Sequence, residues 1–174
     1  LNVNCIGDQT CGYLSGGYPG GKISYPKNGK TTLVCESEQF GGSGFSGYAC
    51  DSVVLEPFDS TSTRGDLEIK CSGYRSCQKI DIKAPPGKTS VLLQGMKTFD
   101  QGNLRCNVDS GSCELFCSRV NDNGAFSCSG GNMHITGNQN SSAWMISNDL
   151  GVKMNEFKLY VDSKVEAFEN VMST

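Results

Sequence analysis

Histidine is all but missing from this sequence, which has one, His134, among its 174 residues. A metal centre or general-base pair built on imidazoles is therefore excluded, and any zinc site would have to be made of cysteine thiolates. Long apolar runs are missing too: the hydrophobic residues come in short clusters such as Val53-Val54-Leu55, far below the roughly 20 residues of a membrane-spanning helix. No membrane span is predicted. With neither an initial Met nor a basic-then-apolar leader, the sequence from Leu1 reads as a processed, mature product. Basic surplus is absent as well, with 15 Lys and Arg against 18 Asp and Glu and a net charge of -3. The sequence has no run of Lys or Arg to grip phosphates, so nucleic acid is not an expected partner.

What is abundant is cysteine and glycine, 10 and 22 residues respectively. An even and heavy use of Cys, in short spacings flanked by Gly and Ser, points to an oxidising, extracellular or cell-surface location. The sequon Asn140-Ser141-Ser142 makes Asn140 a candidate glycosylation site on the same secretory route.

An apolar residue stands two places before Cys again and again: Val3 before Cys5, Leu33 before Cys35, Ile69 before Cys71, Leu104 before Cys106, Phe126 before Cys128. That spacing is the two-residue period of a strand, which puts both side chains on one face. Apolar clusters recur every 9 to 13 residues from Leu55 to Ile146, separated by turn formers such as Ala84-Pro85-Pro86-Gly87 and Asn121-Asp122-Asn123-Gly124. Cys35 and Cys71 are 36 residues apart, Cys71 and Cys106 35, Cys77 and Cys113 36. A repeat near 35 residues with three short strands in each period predicts an all-β fold, a right-handed parallel β-helix of about four to five coils. The alternative is an antiparallel β-sandwich, which short, evenly spaced strands also suit. A single domain over 1–174 is expected, with 155–174 as a C-terminal cap or exchange segment. There Ser163-Lys164-Val165-Glu166 fits a capping box, and Val161, Val165, Phe168 and Met172 fall at helical spacing, so a short helix is expected; one more strand, beginning at Glu156 and running through Tyr160, is the competing reading, and the two can coexist with the strand first.

Three segments share a closed form, Cys-x-Gly-x-x-Ser/Thr-Cys: Cys5 to Cys11, Cys71 to Cys77 and, with one extra residue, Cys106 to Cys113. Gly supplies the positive φ that lets so short a loop return to disulfide reach. Local pairing follows naturally, Cys5 with Cys11, Cys71 with Cys77 and Cys106 with Cys113, leaving Cys35 with Cys50 and Cys117 with Cys128. A link between neighbouring rungs, such as Cys71 with Cys106, satisfies the distances equally. The motif resembles the cysteine-repeat β-helix segments of large extracellular proteins of algae and other protists. The resemblance is good over 5–11 and 67–82, loose over 104–117 and lost beyond Cys128-Ser129-Gly130. It implies a structural role at the cell surface and no activity.

Other motifs carry less. Cys106, Cys113, Cys117 and Cys128 lack paired Cys-x2-Cys knuckles, so no metal is expected, and no cofactor either. The G-x-G-x-x-G run at Gly42–Gly47 is not followed by a helical pattern and reads as a surface loop. Arg64-Gly65-Asp66 reads as a turn. Lys79, Asp81 and Lys83 alternate with Ile80 and Ile82 and would line one outer strand face; a solvated face is the preferred reading, and the polar face of a polysaccharide lyase or hydrolase the competing one. Tyr74 and Trp144 are candidate sugar platforms. The expected function is thus a secreted structural protein of a filament, wall or surface layer that self-associates into a homopolymer. A β-helix enzyme and a non-catalytic carbohydrate-binding adhesive module are the alternatives, and catalysis is the less favoured.

Overall fold

The structure is a computed structural model, and it describes residues 1–7, 10–12, 20–26, 28–37, 48–58, 64–118, 127–137, 143–148, 156–161 and 164–168. Among these the chain is all-β, with no helix. The strands are β1 (Asn2–Ile6), β2 (Lys22–Tyr25), β3 (Asn28–Glu36), β4 (Val54–Pro57), β5 (Arg64–Ser72), β6 (Asp81–Lys83) and β7 (Lys88–Gln94). They continue with β8 (Asn103–Asn107), β9 (Ser112–Ser118), β10 (Asn132–Thr136), β11 (Trp144–Asn148), β12 (Phe157–Val161) and β13 (Lys164–Phe168).

Odd and even strands part company. One sheet has the order β1-β3-β5-β7-β9-β11 and the other β2-β4-β6-β8-β10-β12-β13. Every pairing is parallel except that of β12 with β13, which rules out the antiparallel sandwich. The two-residue period sorts the side chains. In the first sheet Val3, Leu33, Ile69, Val91, Leu115 and Ile146 share one register position; in the second Ile23, Leu55, Ile82, Leu104, Met133 and Leu159 do. Each rank feeds the same buried cluster, in which Leu33, Ile69, Leu55, Ile82, Leu104 and Leu159 are fully enclosed. Stacking like on like is what fixes the register, since a slip of one residue would turn the whole apolar set outward.

The 35-residue period is not the structural repeat. Cys35 lies opposite Cys71, 36 residues on, but Cys71 lies opposite Leu93, only 22 on. Cys71 and Cys106 stand on different sheets, in β5 and β8, so a link between them is not a rung-to-rung neighbour. Among the described residues the strands alternate between two sheets instead of three faces, with six odd and six even parallel strands where four to five coils were expected.

The corner before β4, β6, β8, β10 and β12 of the second sheet is built the same way. Ser52, Lys79, Gln101, Gly130 and Glu156 occupy equivalent register positions, and all have left-handed φ: 59, 56, 60, 74 and 62°. Four of the five are not glycine, so the fold imposes this conformation at a cost of about 1–2 kcal/mol per residue. The opposite end of the corner does require glycine. Gly73 has φ 90° and Gly95 150°, and a Cβ on either would run into the carbonyl of the rung before, Ser37 or Gly73.

The expected C-terminal helix is not formed. Lys164–Phe168 is a strand, paired antiparallel to β12 from Val161↔Lys164 to Phe157↔Phe168. A helix this short is marginal alone, while the free edge of β12 supplies partners for a whole strand, and β-branched Val165 and aromatic Phe168 suit that use. The Glu156–Tyr160 segment does contain a strand, beginning at Phe157. Arg64-Gly65-Asp66 also extends rather than turns: it opens β5, with Gly65 opposite Gly29.

Candidate functional site: disulfide ranks, outer faces and end rungs

All ten cysteines are in disulfides: Cys5–Cys11, Cys35–Cys50, Cys71–Cys77, Cys106–Cys113 and Cys117–Cys128. Four of them form one device. Cys5, Cys35, Cys71 and Cys117 occupy a single register position near the ends of β1, β3, β5 and β9, with Leu93 of β7 in the same rank. Their partners stack as well, because the amide of Cys50 donates to the carbonyl of Ser76, that of Cys77 to Thr98 and that of Phe99 to Ser127. These bonds line up Cys50, Cys77, Phe99 and Cys128 across successive corners. Leu93 and Phe99, both fully buried, stand where the fourth rung would have its staple. The ring of Phe99 occupies the space that a Cβ on Gly102 or Gly131 would need, so the larger residue is matched by two missing side chains. The fifth bond, Cys106–Cys113, joins β8 to β9 at the opposite corner. Sulfur atoms of Cys35, Cys71 and Cys77 approach within 4.8 Å of one another, but in disulfides they offer no thiolate to a metal.

The outer faces are charged and mostly self-neutralised. On the second sheet Ser24, Glu56, Lys83, Arg105, His134 and Tyr160 form one rank, flanked by Lys22 and Asp81. Glu56 is held by Lys22 and by Lys83, the latter at 3.0 Å, and Arg105 Nε donates to Asp81 at 3.0 Å. The two lysines keep the Glu56 carboxyl below the usual range. Asp81 and Lys83 thus share an outer face, as expected, but each is already paired; Lys79 lies in the corner before β6 and is not part of that strand face. His134 stacks flat on Tyr160, ring centres 4.5 Å apart at 4°. Burial pushes its pKa below the usual histidine range, Arg105 adds to this and Asp81 opposes it.

On the first sheet Glu68 is held between Lys30 and Lys70, and Lys88 reaches Glu114 at 3.1 Å. Beside them runs an open groove of about 620 Å³ over the aligned glycines 29, 65, 87 and 111. At the corner, Arg75 lies over the Tyr74 ring at 4.9 Å and donates to the Tyr48 hydroxyl at 2.6 Å. Tyr74 is therefore already covered by a guanidinium. Trp144 is half-buried in β11, against the core. Asn140, Gly42–Gly47 and the turn at Asn121–Gly124 lie outside the described residues.

The sheets end differently. Val3 and Ile23 in the first rung, and Trp144 and Ile146 in the last strand of the first sheet, are only partly buried, whereas Phe157 and Leu159 in β12 are fully buried. Met145 and Leu1 are 51% exposed and Ile6 62%. No described helix is long and apolar enough to cross a membrane. Five disulfides in a chain of this size are typical of extracellular proteins. Which of these features sequence reasoning missed is plain: the charge ranks and the Leu93–Phe99 substitution for a staple, though Leu93-x5-Phe99 has the spacing of Cys71-x5-Cys77. Compared with known protein families, curated proteins and solved structures, the chain matches none of them.

Proposed function

We propose that the chain is a secreted structural building block, a right-handed, disulfide-stapled β-solenoid of six rungs that associates with further copies of itself in an extracellular filament, wall or surface layer. The observation that carries this reading is the pair of continuous parallel ladders. Each bears unbroken inward ranks, and each has strands at its limits whose outer edges find no partner among the described residues. Such edges, with partly buried Val3, Ile23, Trp144 and Ile146 beside them, are templates for another chain. The four-membered cysteine rank supports the same role, since it fixes four corners covalently without a ligand. The self-paired charges on both outer faces suit a rigid, soluble wall better than a reactive cleft.

The test is a concentration series of the oxidised chain, followed by light scattering and negative-stain electron microscopy. Linear or sheet-like assemblies are expected, and their growth should stop when the cysteines are reduced and blocked. A chain that stays monomeric at high concentration in every condition would refute the reading.

A further inference from the structure

We infer that β13 is a displaceable stopper, and that the surface it covers, the outer edge of β12, is the docking surface for β2 of a second copy. This rests on the building-block reading and deepens it. In the first sheet all strands run parallel from β1 to β11, and no described residue pairs with the outer edge of either, so these two edges are two halves of one ladder. The apolar rank that begins with Val3 ends with Ile146, and an incoming β1 would lay its own Val3 on Ile146. The second sheet would continue in the same way, the rank from Ile23 to Leu159 receiving the next Ile23 on Leu159.

That position is taken. Pairing of β12 with β13 is antiparallel over five residues, and it puts Glu166 at the register position opposite Leu159. A copy that joined β1 to β11 would find the site of its β2 filled by β13. The stopper also interrupts the rank, since every other member of the Ile23-to-Leu159 series is apolar and Glu166 is acidic. A charged residue at an edge is a known means of preventing strand addition. Growth on both sheets together therefore requires β13 to leave β12. Strand direction permits the exchange: β2 is parallel to β4, as β12 is to β10, so β2 arriving on β12 restores the parallel ladder that β13 breaks.

Two variants of the full chain test this. Lys158 and Ala167 are register partners across the pair, so Lys158→Cys with Ala167→Cys ties β13 down under oxidising conditions. Val165→Pro with Glu166→Pro loosens it, because successive N–H groups point to opposite sides and one of the two removed must face β12. Light scattering is read for each beside the unmodified chain, with peptide mapping to verify the five native disulfides. The expected result is that the tethered form fails to assemble, while each single cysteine variant assembles normally and the proline variant starts about tenfold sooner, a change of roughly 1.4 kcal/mol in the barrier. Assembly of the tethered form at the unmodified rate would overturn the stopper and leave the building-block reading standing. Failure of every form, the proline variant included, would overturn both. If the proline variant does not fold, the tethered form alone still decides.

Discussion

Replacing Leu93 and Phe99 together by cysteine tests whether they stand in for a staple. The two residues occupy the ranks of Cys71 and Cys77 one rung earlier and of Cys117 and Cys128 one rung later. Their separation of six residues equals that of Cys5–Cys11 and Cys71–Cys77, whose Cα atoms are 5.6 and 5.9 Å apart. The bond should therefore close. It should not stabilise. Closing so short a loop contributes about 2 kcal/mol in the chain-entropy treatment. Truncating two fully enclosed side chains of this size costs about 5–8 kcal/mol, because the freed space cannot collapse around Gly102 and Gly131, and the two sulfur atoms refill about 2 kcal/mol of that. The double cysteine variant is expected to unfold about 1–4 kcal/mol more easily than the parent, yet to be more stable than Leu93→Ala with Phe99→Ala by about 4 kcal/mol. Denaturant unfolding under non-reducing conditions gives these differences, and thiol titration reports closure. Free thiols at both positions would show that the ranks are misaligned, and a variant as stable as the parent would show that Phe99 contributes nothing beyond a cross-link.

Replacing Cys71 and Cys77 by Ala should lower stability by about 2 kcal/mol while leaving the other four disulfides intact, as seen by denaturant unfolding and non-reducing peptide mapping. Gln101→Gly relieves a left-handed residue and should gain about 0.5 kcal/mol after the added freedom of the unfolded chain is subtracted, whereas Gly95→Ala, with no room for its Cβ, should lose about 3 kcal/mol; the pair is read by thermal melts. His134 is held below its ordinary pKa, so the unfolded chain binds its proton more readily than the folded one. Its contribution to stability is complete above the unfolded value and declines as pH falls below about 6.5. Comparison with His134→Gln across pH 7 to 5.5, above the range in which the depressed carboxyls of Glu56 and Glu68 begin to titrate, should show that decline in the parent alone, and a histidine NMR titration at or above the ordinary midpoint would contradict it.

The strands were legible because they are half-inward: Leu67-x-Ile69, Val91-x-Leu93 and Met133-x-Ile135 announce a two-residue period, and the structure turns all six residues inward. The architecture was harder to read. Cys106 has the same apolar-x-Cys step as Cys71, yet one closes a corner after β5 and the other a corner after β8, so equal local chemistry produced a false period. The C-terminal segment shows the limit of propensity: Lys164–Phe168 satisfies a helix-start pattern, but the choice is made by an edge of β12 that the local sequence does not contain. The outer charge ranks depend on which residue lies across from which, as Glu56 with Lys83 does over 27 positions. Asp81 had an evident alternation with Lys83 and no visible sign of Arg105.

Every staple closes a short stretch of chain, with separations of 6, 15, 6, 7 and 11 residues, and none joins two strands that are neighbours in one sheet. Under a pulling force neighbouring parallel strands are thus free to peel apart in succession, held by hydrogen bonds, packed side chains and ion pairs such as that of Glu56 with Lys83. What the sulfurs withhold is length. The loop between Cys35 and Cys50 keeps about 50 Å of extensible chain out of reach until its bond is cut. A fibre made of such units would stretch in two stages, a first that rewinds on release and a second that opens only in the presence of a reductant.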